Sequence, residues 1–289
     1  WTENAPDFTG LAIRAVDGAA GSVINFEMEM MDVFSAEQAR RTLASWEADL
    51  LVVCDYGQIL SAETLAAARL GGVNLHASLL PKYRGAAPIP WAIYHGEKTT
   101  GVSVIHMTPQ VDAGPVIAQS EVDILPDETA VELEARLAEI GAWLMLRAID
   151  NLEAGLLEAL PQDAKAACRA PKLKKEDGLV DWRRPAEVIR NQVRAMVPWP
   201  KTYTYWCRSG KPPLRLILES VQTAERSDAA PPGTVLEVGS QGILVAAGEG
   251  AVLIRALQPA GKRVMSAEDF LRGYRLQPGD RLGTPETGA

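Results

Sequence analysis

Cysteine is scarce in this chain: Cys54, Cys168 and Cys207 are scattered over 289 residues, with no C-x-x-C and no histidine pair at ligand spacing. That argues against a disulfide framework and a metal site, and fits a reducing, cytoplasmic setting. Long apolar runs are missing too. None reaches the roughly eighteen residues that a membrane helix requires, and the opening residues carry no basic-then-apolar leader. No membrane partner is expected. Neither Gly57 nor Gly85 belongs to a G-x-G-x-x-G or G-x-x-x-x-G-K-[ST] pattern, so a nucleotide cofactor has no support. Ser78 lacks a nucleophile elbow and Cys54 lies in an apolar run, which leaves covalent catalysis without a candidate. Residues 1–35 show no succession of strand, glycine turn and helix, and the chain opens on Trp1. The expectation is therefore a first domain that is truncated or divergent at its N-terminal edge.

The net charge of −8 argues at first against a polyanionic partner. Its distribution argues the other way. Residues 1–167 hold 10 Lys/Arg against 24 Asp/Glu, whereas residues 168–215 hold 12 against 4. A basic segment in an acidic chain is the electrostatic footprint of a nucleic-acid contact; the blander reading is a solvated linker with one basic helix face.

Length leaves room for about two domains. Asp49–Cys54 reads as a strand buried on both faces, Ala62–Leu70 as a helix and Gly72–His76 as the next strand. Pro88 sits just inside a helix that Gly96 stops, and further strands are expected at Gly101–Met107 and from Pro115. Thr129 and Glu132 form a capping box before a helix with Leu133, Leu137, Ile140 and Leu144 on one face. Strands alternating with helices predict a Rossmann-like α/β domain with a mostly parallel sheet over 1–155. Residues 156–183 read as a basic linker. Over 184–289, a helix after Pro185 puts Arg190 and Arg194 on one outward face, and short β runs separated by Gly/Pro turns predict a small OB-like barrel.

Three polar residues stand out against this background. Asn74 and His76 are two apart at the end of an apolar run, so both side chains leave the same side of a strand. Ends of strands in open α/β sheets are where active sites form. A lone histidine is usually structural; its pairing with an amide shifts the reading towards chemistry. Asp112, followed by Gly114, is equally a turn former unless its loop folds back towards His76. If it does, the carboxylate would hold one imidazole tautomer and take up a proton through it. An amide for an oxyanion, an imidazole for a proton and a carboxylate to orient it suit acyl or formyl transfer. His95 and His106 have no such company and are read as structural.

These stretches resemble the methionyl-tRNA formyltransferase family, within the wider folate-dependent formyltransferases. The likeness rests on Asp55-Tyr-Gly-Gln-Ile-Leu60, Asn74-Leu-His-Ala-Ser-Leu-Leu-Pro81, Tyr83-Arg-Gly-Ala-Ala-Pro-Ile89 and Val111-Asp-Ala-Gly114. It continues through Ala170-Pro-Lys-Leu-Lys174, Asp181-Trp182, Val197-Pro-Trp-Pro200 and Asp269–Asp280. The resemblance implies transfer of a formyl group from 10-formyltetrahydrofolate to the amine of initiator methionyl-tRNA; a monomer without a metal is expected. It implies Asn74, His76 and Asp112 as catalytic residues. It implies a folate pocket from Ser78, Leu79, Leu80 and Pro81, with Tyr56, Gln58, Ile59 and Leu60 on the pterin side. Lys172, Lys174 and Lys175 fall on the family's basic, tRNA-contacting linker, and Arg190 and Arg194 would extend that surface. Two other readings are a non-catalytic RNA-binding relative, favoured by the unusual start, and a formyltransferase for another amine, which should lack the linker and C-terminal motifs.

Overall fold

A computed structural model describes residues 48–56, 59–208, 210–226 and 229–284, together with the backbone of two strands nearer the start. The described chain divides into two compact units. One comprises residues 1–89, 98–124 and 133–172, the other residues 90–97, 125–132 and 173–289.

The first unit begins with strands β1 (Leu11–Val16) and β2 (Asn25–Met30), paired antiparallel. This corrects the expectation that residues 1–35 hold no leading strand. Phe26, Met28 and Met30 alternate with Asn25, Glu27 and Glu29 in the sequence of β2, a strand's period of two. β1 also comes close to β3 (Leu51–Cys54). β3 opens a four-stranded sheet in the order β3, β4 (Gly72–His76), β5 (Thr99–His106), β6 (Val116–Asp123). Helix α1 (Ala62–Leu65) follows β3, capped by Ser61, whose hydroxyl accepts from the Thr64 N–H. Only four residues of the expected Ala62–Leu70 helix are α-helical.

Pairing among these four strands is mixed rather than mostly parallel. β3 and β4 run parallel, but β4 with β5 and β5 with β6 run antiparallel. The alternating element pattern is silent on this point. β5 turns back along β6 through the loop 107–115, too short for a helical crossover, so those two strands can only meet head to tail. β5 is buried along most of its length, as the central strand of such a sheet should be.

Helix α2 (Pro88–Tyr94) starts at Pro88, and Gly96 beyond its end has φ +74°. Helix α3 (Ala130–Glu153) starts at the expected capping box: the Glu132 N–H donates to the Thr129 hydroxyl, and the Thr129 N–H donates to the Glu132 carboxylate at 2.8 Å. Leu133, Leu137 and Leu144 are buried, as the 3.6-residue spacing requires.

In the second unit, helix α4 (Ala186–Ala195) precedes an antiparallel sheet of β7 (Thr202–Cys207), β8 (Leu214–Ala224), β9 (Val235–Gly239), β10 (Gly242–Ala246), β11 (Ala251–Pro259), β12 (Met265–Ser266) and β13 (Arg281–Gly283). Helix α5 (Ala267–Gly273) follows β12. The strand order is β13-β7-β8-β11-β10-β9. A bridge between Thr234 and Arg281, with the Leu282 N–H donating to the Gly233 carbonyl at 2.7 Å, ties the two ends and curls the sheet into the expected barrel. On β7, Thr202, Thr204 and Trp206 turn inward while Tyr203, Tyr205 and Cys207 turn out. Trp206, Leu216, Ile254, Leu257 and Phe270 form the apolar centre, closed at one side by Ile189 and Val193 of α4. The pyrrole N–H of Trp182 finds the Thr204 hydroxyl at 3.0 Å, so this buried indole is satisfied.

Candidate active site

Asn74, His76 and Asp112 all belong to the first unit. β4 delivers Asn74 and His76 from its C-terminal end, and the loop between β5 and β6 delivers Asp112. Asp112 has φ +50°, a left-handed conformation that Asp tolerates better than most residues. The loop folds back as the chemistry would need. The Asn74 Nδ2 donates to Asp112 Oδ1 at 3.4 Å, and Asp112 Oδ2 lies 3.6 Å from His76 Nδ1. The same Oδ2 accepts the Gly85 N–H at 2.9 Å.

His76 is buried, and its Nε2 lies 2.8 Å from the Tyr83 carbonyl. A carbonyl can only accept, so Nε2 carries a hydrogen and Nδ1 is the nitrogen left to exchange a proton with the site. Tyr83 itself has φ +60°, and its N–H donates to the sulfur of Cys168 at 3.2 Å.

Two glycines are required here by close approach. A Cβ on Gly85 would stand 2.5 Å from the Ala170 carbonyl oxygen, and its φ of +125° is hostile to any side chain. A Cβ on Gly114 would stand 1.7 Å from the His106 carbonyl oxygen, so this glycine serves strand proximity rather than a left-handed turn.

The segment Ser78–Pro81 is fixed from β5 and β6. Ser103 Oγ donates to the Ser78 carbonyl at 2.6 Å and accepts the Leu80 N–H at 3.1 Å, and Gln119 Nε2 reaches both Ser103 Oγ and the Leu80 carbonyl. Ser78 and Leu80 are buried, Leu79 and Pro81 half-buried, and the Ser78 hydroxyl donates to the Lys82 carbonyl. The Leu80–Pro81 peptide is cis. Of the expected pterin-side residues, Tyr56 and Leu60 are half-buried and Ile59 is exposed. Burial raises the Tyr56 hydroxyl above the usual phenol value. Leu60 packs on the cluster around Leu51 and Leu65, and Gln58 lies outside the described residues. Cys54, expected within the apolar run, is exposed at its end.

The basic residues separate into two kinds. Lys172, Lys174 and Lys175 are exposed. The outward pair expected on α4 is corrected: both arginines are turned onto the segment 125–132 of their own unit. Arg190 is held by Asp127 at 2.6 Å and Glu187 at 2.8 Å. Arg194 donates to the carbonyls of Leu125 and Glu128 and to Asn191. Burial, with Arg190 nearby, lowers the Arg194 guanidinium from its usual value. Helical periodicity gave no sign that an acidic segment sixty residues upstream would cover this face.

His106 ends β5 and is half-buried, which lowers its imidazole below the usual range; His95 is lowered by the same cause and stacks on Trp91. Neither joins the cluster around Asp112. Among the described residues no group of acidic, histidine or cysteine side chains could hold a metal ion, and no helix is long and apolar enough to cross a membrane.

Residues 8–149 match the family Formyl transferase, and residues 172–275 match Formyl transferase, C-terminal domain. The chain is 46% identical over 252 residues to a methionyl-tRNA formyltransferase of Rhodopirellula baltica, covering 84% of this chain and 75% of that protein. It is 42% identical over 271 residues to the Moorella thermoacetica enzyme of the same name, covering 94% of this chain and 84% of that protein. In fold it is similar to HypX from Aquifex aeolicus, solved in complex with tetrahydrofolic acid: TM-score 0.59 at 20% identity, over 82% of this chain and 41% of HypX. Identity above 40% across both domains leaves one assignment: this chain belongs to the methionyl-tRNA formyltransferase family.

Proposed function

We propose that this chain transfers the formyl group of 10-formyltetrahydrofolate to the free amine of methionine on initiator tRNA, for translation initiation. The observation that carries the reading is the meeting of Asn74, His76 and Asp112 within hydrogen-bonding or one-water reach, in a chain of this family. A folate co-substrate is supported by family membership, and by the tetrahydrofolic acid bound to HypX.

In this reading the amine attacks the formyl carbon while the bond from that carbon to the folate nitrogen breaks. Negative charge develops on the formyl oxygen between the two events. Asn74, with an N–H to spare beside its long contact to Asp112, donates to that oxygen. One preorganised donor is worth about 10²–10³ in rate. Asp112 takes the proton released by the amine, directly or through water, and His76 shuttles it through Nδ1 towards the departing nitrogen. Acid–base assistance of this kind contributes about 10²–10⁴. The Tyr83 carbonyl keeps the ring from presenting the wrong nitrogen.

Ser78 to Pro81, with Tyr56, Gln58, Ile59 and Leu60, form the folate-facing surface in this reading, and exposed Lys172, Lys174 and Lys175 contact the tRNA backbone. The catalytic part, expected over 1–155, is proposed to run on through residue 172, leaving a shorter basic linker up to 183 in place of 156–183 and 184–289 as the tRNA-binding part, in a cytoplasmic monomer. Incubation with 10-formyltetrahydrofolate and charged initiator tRNA should yield formylmethionyl-tRNA. Product with free methionine or with an amino sugar, but none with the charged tRNA, would overturn the substrate assignment.

A further inference from the structure

Residues 156–170 look like linker in the sequence, yet they are built into the first unit. The Leu160 and Val116 backbones exchange hydrogen bonds at 2.8 Å in each direction. The Arg84 N–H donates to the Cys168 carbonyl at 2.9 Å, and the Ala170 N–H donates to the Arg84 carbonyl at 2.7 Å. Between these two seams lies Gln162. Its Nε2 donates to the Asp112 carbonyl at 2.8 Å and to the Gly114 carbonyl at 2.7 Å. Its Oε1 accepts from Arg84 Nε at 3.0 Å and from the terminal nitrogen at 2.7 Å.

The amide can adopt only this orientation. Arginine has donors alone and a carbonyl has only lone pairs, so reversing the amide would oppose like groups at all four contacts. Gln162 is thereby saturated. It grips the backbone on both sides of Ala113, at the point where Asp112 is in the left-handed region. That conformation directs the carboxylate back to Asn74, His76 and the Gly85 N–H. Arg84 is the other half of the device, because its own backbone is pinned to residues 168–170 and its neighbour Gly85 donates to Asp112.

The geometry points to Gln162 as a positioning residue for the transfer reaction: anchored by Arg84, it fixes the loop 112–114 so that Asp112 faces Nδ1 of His76. The inference rests on the catalytic roles proposed above for Asp112 and His76. A carboxylate displaced by about 1 Å can lose about a hundredfold in rate, so a side chain that never meets substrate would still govern turnover.

Two substitutions separate the halves of the clamp. Gln162→Ala removes both. Gln162→Glu keeps the acceptor for Arg84 but sets carboxylate oxygen against the two loop carbonyls. In the full-length protein, with melting and circular dichroism as controls for folding, both variants should lower kcat about 10- to 100-fold with KM for tRNA nearly unchanged. The chain has three histidines, so the His76 ring, once assigned, can be followed by ¹⁵N NMR at a fixed pH. Asp112→Asn should move the Nδ1 resonance of His76, because the group facing that nitrogen changes; Gln162→Ala should move it in the same direction. The double variant should match Asp112→Asn alone in spectrum and in turnover, because the clamp acts through that carboxylate.

A His76 Nδ1 resonance unmoved in Gln162→Ala but moved in Asp112→Asn would overturn the inference and leave the trio standing. So would losses in kcat that multiply in the double variant, or a Gln162→Glu protein with normal turnover. Failure of both Gln162 variants to fold would make the residue a fold element and likewise end the proposal. If Asp112→Asn changes neither the His76 spectrum nor turnover, the catalytic assignment falls first and the clamp falls with it.

Discussion

Around Asp112, polar atoms from four stretches of chain are gathered within hydrogen-bonding distance or nearly so; at the centre of the barrel, Trp206, Leu216, Ile254 and Phe270 meet with almost none. The barrel is held by non-directional apolar contact, which tolerates small shifts. The site is held by directional bonds onto strained backbone, at Tyr83 and Asp112, which do not tolerate them. One region therefore stores stability and the other stores geometry. Substitutions in each should fail in different currencies: kcat in one case, melting temperature in the other.

The largest effects should come from the site. His76→Ala and Asn74→Ala are expected to cut kcat by about 10²–10⁴ and 10²–10³ respectively, with equal losses in kcat/KM and little change in melting. Single-turnover assays at saturating folate check this. A rise in KM alone would mean that the region binds substrate without reacting with it.

Next comes the barrel. Phe270→Ala should cost about 3–5 kcal/mol of stability in denaturant titrations, because the ring is fully buried, while the folded fraction keeps its turnover number. A folded Phe270→Ala protein with impaired kcat would erase the distinction between the two regions. Gly85→Ala tests the border between them. The strained φ and the Ala170 carbonyl should together cost about 1–3 kcal/mol, and displacement of the N–H from Asp112 should lower kcat as well.

A smaller effect sorts the cations. Lys174→Ala should flatten the dependence of log K on log salt for tRNA by about one unit, without altering stability. Arg194→Ala should do the reverse, since its guanidinium is already engaged by carbonyls of the segment 125–132. Equal slopes for Lys174→Ala and the unmodified chain would remove that lysine from the tRNA surface.

The smallest effect is at the start of α3. Hydrogen bonds from the Thr129 backbone and hydroxyl hold the Glu132 carboxyl below its usual value. Its contribution to stability is thus complete above the ordinary carboxylate pKa and is lost as pH falls through the lowered folded value. Glu132→Gln should flatten this acid limb in unfolding curves recorded between pH 2 and pH 6 (about the carboxylate range) and leave kcat at pH 7 unchanged.

Much of this was readable along the chain. Hydrophobic period and punctuation located β4, α2, α3 and all but the shortest barrel strands, because those elements are specified by neighbours a few residues away. Asn74 and His76 were readable together because a strand's two-residue repeat puts them on one side without outside help.

Tertiary structure alone decided the rest. The antiparallel meeting of β4 and β5, joined by a stretch that holds helix α2, depends on which strand edges remain open, and no local pattern encodes that. Arg190 and Arg194 could be assigned to a helix face but not to what covers it. Gln162 lies fifty residues from Asp112, in a polar stretch without period, so nothing nearby marks it as the partner of a loop carbonyl. Local chemistry along the backbone determined which elements form and which side chains are competent. Long-range hydrogen bonds, satisfied only once the chain has closed on itself, decided which of those side chains meet.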